Sequence, residues 1–209
     1  VNTTVGQPAR LAEPARETWP LPGGRAVRLR PITAADAGAE QAFFRGLSLD
    51  SRHKRFHVGL RELSPALLAL LTDVDHHLHR AWVAESLEPG LPVVADARYV
   101  REAHGPKRAE FAVAVADDWQ GRGLGRRLIA HLAAHARRHG VQALYGDVLA
   151  DHRRMLALLR DQGARLTPHP DGPQLVRAVL DLGPGQAAIM PACDDSSSAA
   201  ACCWPACWR

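Results

Sequence analysis

Six residues in one short run have the types and spacing to hold a polyanion. They are Gln120, Gly121, Arg122, Gly123, Gly125 and Arg126. A glycine-rich turn that opens a helix aims several unpaired backbone N–H groups at one place, and the helix dipole adds partial positive charge there. Glycines let phosphate oxygens approach the backbone without a clash. The alternative is a tight connection with no ligand. Two rival phosphate loops are excluded. There is no G-x-x-x-x-G-K-[ST], and the G-x-G-x-x-G of a dinucleotide fold needs other spacing and an early strand. Ten residues before Gln120, Glu110 offers a carboxylate at the start of the strand that leads into the turn. It is either a reacting group or a surface partner of Arg98 or Arg108.

The elements that position these residues follow from periodicity. Residues 110–116 are apolar and rich in Val and Phe, as in a buried strand. Leu124, Leu128, Leu132 and Ala136 recur every fourth residue, the stripe of a helix, and Gly140 closes it. Before them, residues 25–30 alternate as a strand. Thr33 caps a helix to about Gly46, with Asp36 as capping-box partner. Residues 48–57 form a basic helical turn, and Ser64-Pro65 starts another helix. Residues 80–86 and 93–101 are strands. After Gly140 come a strand at 143–149, a helix from Asp151 to Gln162, a loop at 167–173 and a last strand at 174–182. The order is β-α-α-β-β-β-α-β-α-β, an α/β (α+β) pattern in one domain over residues 25–183. Residues 1–24 read as a loose leader and 184–209 as a low-complexity tail.

Composition bounds the partners. With 209 residues and 46% hydrophobic content the chain fills one core. A net charge of +4 suits a polyanionic ligand without singling out nucleic acid. No apolar run is long enough to span a membrane, and a cytoplasmic location is the expectation. Cys193, Cys202, Cys203 and Cys207 all lie in the tail, in no standard zinc spacing. His131, His135 and His139 share one helix face without an HExxH, so they read as boundary packing and no metal is expected. His76, His77 and His79 read as surface. Arg52, Lys54 and Arg55 suit an acidic protein, a phosphate or solvent.

Gln120, Gly123 and Gly125 form Q-x-x-G-x-G, and this stretch resembles the acetyl-CoA pyrophosphate motif of the GNAT acetyltransferases. The element order is also that of the family. The likeness runs from about Val27 to Leu182. LRPITAADA, FFRGLSLDSRHKRFH, ARYVRE, AEFAVAVADDWQGRGLGRRL and GDVLADHRRML resemble the catalytic domain of bacterial protein-lysine acetyltransferases. In that branch the domain is often fused to a synthetase-like or cyclic-nucleotide-binding region, for which this length leaves no room.

The resemblance implies a mixed, mostly antiparallel sheet flanked by helices, with acetyl-CoA between strands that splay apart at about 109–116 and 143–149. It implies Glu110 as general base, with Asp147 as rival. A lysine amine, with a pKa near ~10.4, must lose a proton before it attacks a thioester. Backbone N–H groups at Val113 and Val115 would hold the thioester oxygen. Gln120, Gly121, Arg122, Gly123, Gly125 and Arg126 would bind the pyrophosphate. His152 stands where the family often has an asparagine that contacts the pantetheine arm. Leu159 stands where many members carry a tyrosine acid for the leaving thiol. The acceptor is a protein lysine or a small amine; a non-catalytic acyl-CoA-binding module is the third reading.

Overall fold

The computed structural model describes residues 17–57, 60–90, 93–103 and 105–183. The expected tail, with its cysteines, and residues 1–16 of the expected leader lie outside the described residues. Eight strands form one sheet: β1 (Glu17–Pro20), β2 (Ala26–Pro31), β3 (His79–Ser86), β4 (Val93–Glu102), β5 (Gly105–Val115), β6 (Ala143–Leu149), β7 (Arg165–His169) and β8 (Gly172–Asp181). Five helices flank it: α1 (Ala37–Gly46), α2 (Leu49–Phe56), α3 (Pro65–Thr72), α4 (Leu124–Arg138) and α5 (Arg153–Asp161). The strand order across the sheet is β1-β2-β3-β4-β5-β6-β8-β7. Every pairing is antiparallel except β5 with β6.

Four elements depart from the pattern read in the sequence. β1 lies inside the stretch expected to be loose; it pairs with β2 and buries Trp19. The basic turn at 48–57 is a full helix, because Ser48 caps it and Phe56 anchors its end edge-on against Phe44. The expected loop at 167–173 contains the end of β7, whose Pro168 is tolerated because β7 is an edge strand. β5 also begins five residues before Glu110, so that residue sits in mid-strand and not at its start.

The sheet separates two cores. On one side α4 lays Leu124, Leu128, Leu132 and Ala136 against Phe111, Val113 and Leu144. On the other, α1 packs Phe43 against Ile32, Val83 and Ala114. The second face also takes charge. Arg30 makes paired bonds with Asp36 at 2.7 and 2.8 Å and with Glu85 at 2.6 and 2.8 Å. The Asp36 carboxylate in turn accepts the Thr33 N–H at 2.8 Å, which is the expected capping partnership.

Candidate active site

β5 and β6 pair only through Arg108–Ala143, Ala109–Leu144 and Glu110–Tyr145. Beyond Glu110 the two strands part. Gly146 marks the fork: a Cβ there would stand 3.1 Å from both the Phe111 ring and its carbonyl. Ala116 N–H donates to Val94 O at 2.8 Å, toward β4. Backbone direction alternates along a strand, so the amides of Val113 and Val115 face the other way, into the fork. Glu110 is the last paired residue below them. The fork opens into a cleft of ≈ 1620 Å³ that Glu110, Val113, Val115, Gln120, Gly121, Gly123, Gly125, Arg126 and His152 all line.

The glycine turn closes the upper end of the cleft. Gly121 and Gly123 adopt φ of +76° and +81°, a conformation that disfavours any side chain. Gly123 stands at the N-cap of α4, where no side chain takes up the first amides of the helix. A Cβ at Gly123 would meet nothing within 4 Å. The turn thus offers bare amides and room, which fits a diphosphate. Gly125 faces Leu158 and Val115, letting α4 approach α5 and β5. The Gln120 amide donates to Val115 O at 3.0 Å and accepts from Arg154 at 3.4 Å, so its side chain braces the turn against β5 and α5. Arg126 pairs with Asp161 at 2.9 Å on the cleft wall. Arg122 is the one expected phosphate ligand that does not line the cleft. Its guanidinium bonds Asp118 O at 3.3 Å and lies beside Gly23.

α2 supplies a further wall, on which lie two of the three basic residues read as a dock for an acidic protein or a phosphate, Lys54 and Arg55. Asp50, Ser51, Lys54, Arg55 and His57 all border the cleft, while Leu49 points to solvent. Lys54 pairs with Asp50 at 2.5 Å. Arg52 turns away and donates to the carbonyls of Leu47, Arg61 and Arg45, which occupies it structurally. Across the cleft His152 precedes α5. Burial lowers its pKa, and the Lys54 charge lowers it further.

Around Glu110 the charges are organised. Tyr145 lies opposite in register, with the guanidinium groups of Arg108 and Arg177 at 5.1 and 5.3 Å from its ring centre. Burial, then the Glu110 charge, raises its pKa, so it stays a neutral donor. Arg55 is lowered to about 10, first by its removal from solvent, while Asp96, Glu40 and Glu110 oppose the loss of its charge. Asp147, the rival base, is fully engaged. It accepts from Arg177 at 2.8 and 2.9 Å and lies 3.0 Å from His169 Nε2. The Asp171 N–H donates to His169 Nδ1 at 3.0 Å, and Nε2 of that ring lies between Asp147 and Arg177 Nη2, 2.7 Å from the latter. Of the two arginines read as surface partners of Glu110, Arg98 pairs with Asp96 in the core, and Arg108 lies 3.6 Å from Glu102.

Beneath the cleft, Asp96 and Arg98 form an ion pair on β4, 2% and 1% exposed. Arg98 also donates to Leu71 O at 2.9 Å and touches His79 at 3.3 Å. His79 is therefore part of the cleft floor and not the surface residue expected. Glu40 lies 3.9 Å from Arg98, and burial raises its pKa. Leu159 is 0% exposed and belongs to the apolar core, so the position of the family's tyrosine carries no acid. His131, His135 and His139 stack along α4 against Trp82, with His135 Nδ1 2.9 Å from the Tyr99 hydroxyl. Burial drives His135 down to about 2, and it stays neutral.

Comparison with known proteins places this geometry. Residues 47–164 match the sequence model of the acetyltransferase (GNAT) family. An acetyltransferase of Pseudomonas aeruginosa is 40% identical over 136 residues, 65% of this chain and 73% of that protein. The acetyltransferase Pat of Mycolicibacterium smegmatis is 38% identical over 136 residues, again 65% of this chain but 40% of that protein. The crystal structure of the GNAT domain of S. lividans PAT superposes with a TM-score of 0.73 at 29% identity, covering 81% of this chain and 99% of that one.

Proposed function

Because the chain belongs to the GNAT acetyltransferase family, we propose that it moves an acetyl group from acetyl-CoA to the ε-amine of protein lysines, with Glu110 as general base. The observation that carries this reading is the fork. Glu110 closes the paired part of β5 and β6, and the open amides of Val113 and Val115 follow it directly.

Acetyl-CoA would bring the activated acyl group and a thiol that leaves as a stable thiolate. Gln120, Gly121, Gly123, Gly125 and Arg126 would hold its diphosphate, mostly by backbone, with His152 beside the arm. Arg122 has a weaker case for a direct role, being turned toward Asp118. Glu110 accepts the proton of the incoming ammonium, which frees the nitrogen lone pair to attack. The amides of Val113 and Val115 donate to the carbonyl oxygen as negative charge gathers on it. Leu159 offers no proton to the departing sulfur, which takes one from water.

Support for a protein acceptor comes from size and resemblance. The cleft exceeds the ~300–1,000 Å³ of a pocket for one small ligand, leaving room for a lysine side chain beside the coenzyme. The motifs shared with bacterial protein-lysine acetyltransferases point the same way. The test is incubation with acetyl-CoA and a cell lysate, read by mass spectrometry. Acetyl on protein lysines, lost with Glu110→Gln, supports the reading. Acetyl on a small amine alone, or on nothing, overturns it.

A further inference from the structure

Asp117 follows β5 by two residues and opens the turn read as the cofactor cradle, yet its carboxylate bonds to a different element. One oxygen accepts the Ser48 N–H at 2.9 Å. The other accepts the Ser48 hydroxyl at 2.9 Å and the Ser51 hydroxyl at 2.7 Å. Ser48 Oγ in turn accepts the Ser51 N–H at 3.1 Å, and Ser51 Oγ accepts from Gln120 Nε2 at 3.3 Å. Each hydroxyl donates its one proton to the carboxylate and accepts one further bond, so the three side chains form a closed knot. Asp117 thus acts as a distant cap for α2, where a negative charge is favoured at the helix start. Burial raises its pKa, but the Ser48 amide and the two serine hydroxyls outweigh that and hold it below the usual range.

The far end of α2 is pinned by Phe56 on Phe44. Between these points lies the wall that faces the cleft: Ser51, bonded to Gln120 of the turn, then Lys54 and Arg55 on the border of the same cleft as Glu110. From Ser48 to Arg55 the helix advances about 10 Å. A rigid helix converts a fixed start into a fixed position for Arg55.

We propose that Asp117 is a positioning residue: by tying the start of α2 to the cofactor turn, it makes the position of the α2 wall, with Arg55 on the cleft that Glu110 also lines, depend on that turn being ordered. This rests on the reading of residues 120–126 as the cradle and Glu110 as the base. Filling the turn would then stiffen α2 as well, and the acceptor side would become competent only once the cofactor is in place.

Hydrogen exchange on the full chain, with and without acetyl-CoA, tests this in the parent, Asp117→Ala and Asp117→Asn. Acetyl-CoA should slow exchange of the α2 amides about tenfold in the parent and less than about twofold in Asp117→Ala, with Asp117→Asn between them. Calorimetry should give an acetyl-CoA Kd within about fivefold of the parent, which separates lost coupling from lost binding. In turnover, Asp117→Ala should lower kcat about tenfold with the KM for acetyl-CoA changed less than about threefold; combined with Arg55→Lys, the losses should fall short of the product of the singles. Should Asp117→Ala fail to melt cooperatively, Asp117→Asn and Ser51→Ala carry the same comparison. Unchanged protection of α2 in a variant that binds acetyl-CoA, or losses that multiply, overturns this proposal alone. No uptake by the parent overturns the cradle reading and this proposal with it.

Discussion

Gly123→Ala compared with Gly140→Ala isolates what the glycine turn does. The two glycines have φ of +81° and +82°, and a Cβ at either would meet nothing within 4 Å. The cost of each alanine is therefore backbone strain, about 1–2 kcal/mol for an L-residue in the left-handed region. For a domain of this size each kcal/mol lowers Tm by about 2–4 °C, so both variants should lose roughly 2–8 °C. Their effect on acetyl-CoA should differ. Gly140 lies beyond the C-terminus of α4, while Gly123 sits where the first amides of that helix are bare. Free Gly123→Ala relaxes by rotating the turn, and binding must restore it. Whatever share of the strain is relieved in this way is missing from the Tm loss and appears instead as lost affinity, at most about 5–30-fold. Gly140→Ala should keep its Kd within about twofold. Gly123→Asp sets a carboxylate against the diphosphate and should abolish binding. Calorimetry with acetyl-CoA and thermal melts measure both quantities. Normal binding of acetyl-CoA by Gly123→Asp, or an unchanged Kd in Gly123→Ala at a Tm loss smaller than that of Gly140→Ala, refutes the cradle.

Three other outcomes are expected. Glu110→Gln should cut kcat by about 10²–10⁴ while leaving the acetyl-CoA Kd unchanged, and retained turnover removes Glu110 as base. Arg30 holds the Asp36 carboxyl at about 2 against a usual 3.8. This depressed value contributes stability that is full above pH 3.8 and vanishes as pH falls through about 2. The difference amounts to about 2 kcal/mol; Asp36→Asn should lose it at neutral pH and flatten the acid limb of the unfolding curve in urea. Arg98→Met strands the buried Asp96 carboxylate and should destabilise the fold by about 3–5 kcal/mol, whereas adding Asp96→Leu should recover much of it. A double variant as unstable as the single would contradict that account.

How far the sequence disclosed this arrangement depended on the kind of signal. The α4 stripe and the glycine turn were legible because their spacing is local and their chemistry leaves few alternatives. Glu110 was legible as a carboxylate near that turn, but not as the residue where two strands part, since the fork depends on pairing with a strand more than 30 residues later. α2 was underestimated because its cleft face is charged and its anchor is a single Phe56. Asp117 finds its partner 69 positions away in the chain, and only the fold brings it to Ser48. Asp96 and Arg98 alternate with apolar neighbours as solvent-facing residues would; they are buried because each neutralises the other. β7 was hidden by Pro168, which marks a loop unless the strand lies at an edge.

The three-pair contact between β5 and β6 is also a seam in the architecture. Strands β1 to β5 form one antiparallel ribbon from contiguous sequence, and β6, β8 and β7 form another. Each ribbon is held internally by longer antiparallel ladders, whereas the two are joined by three residue pairs and the α4 crossover. The workplace of the molecule exists only after that union. A bound coenzyme spanning the split would act as a clasp between two separately built parts, resisting their separation more than it stiffens either one.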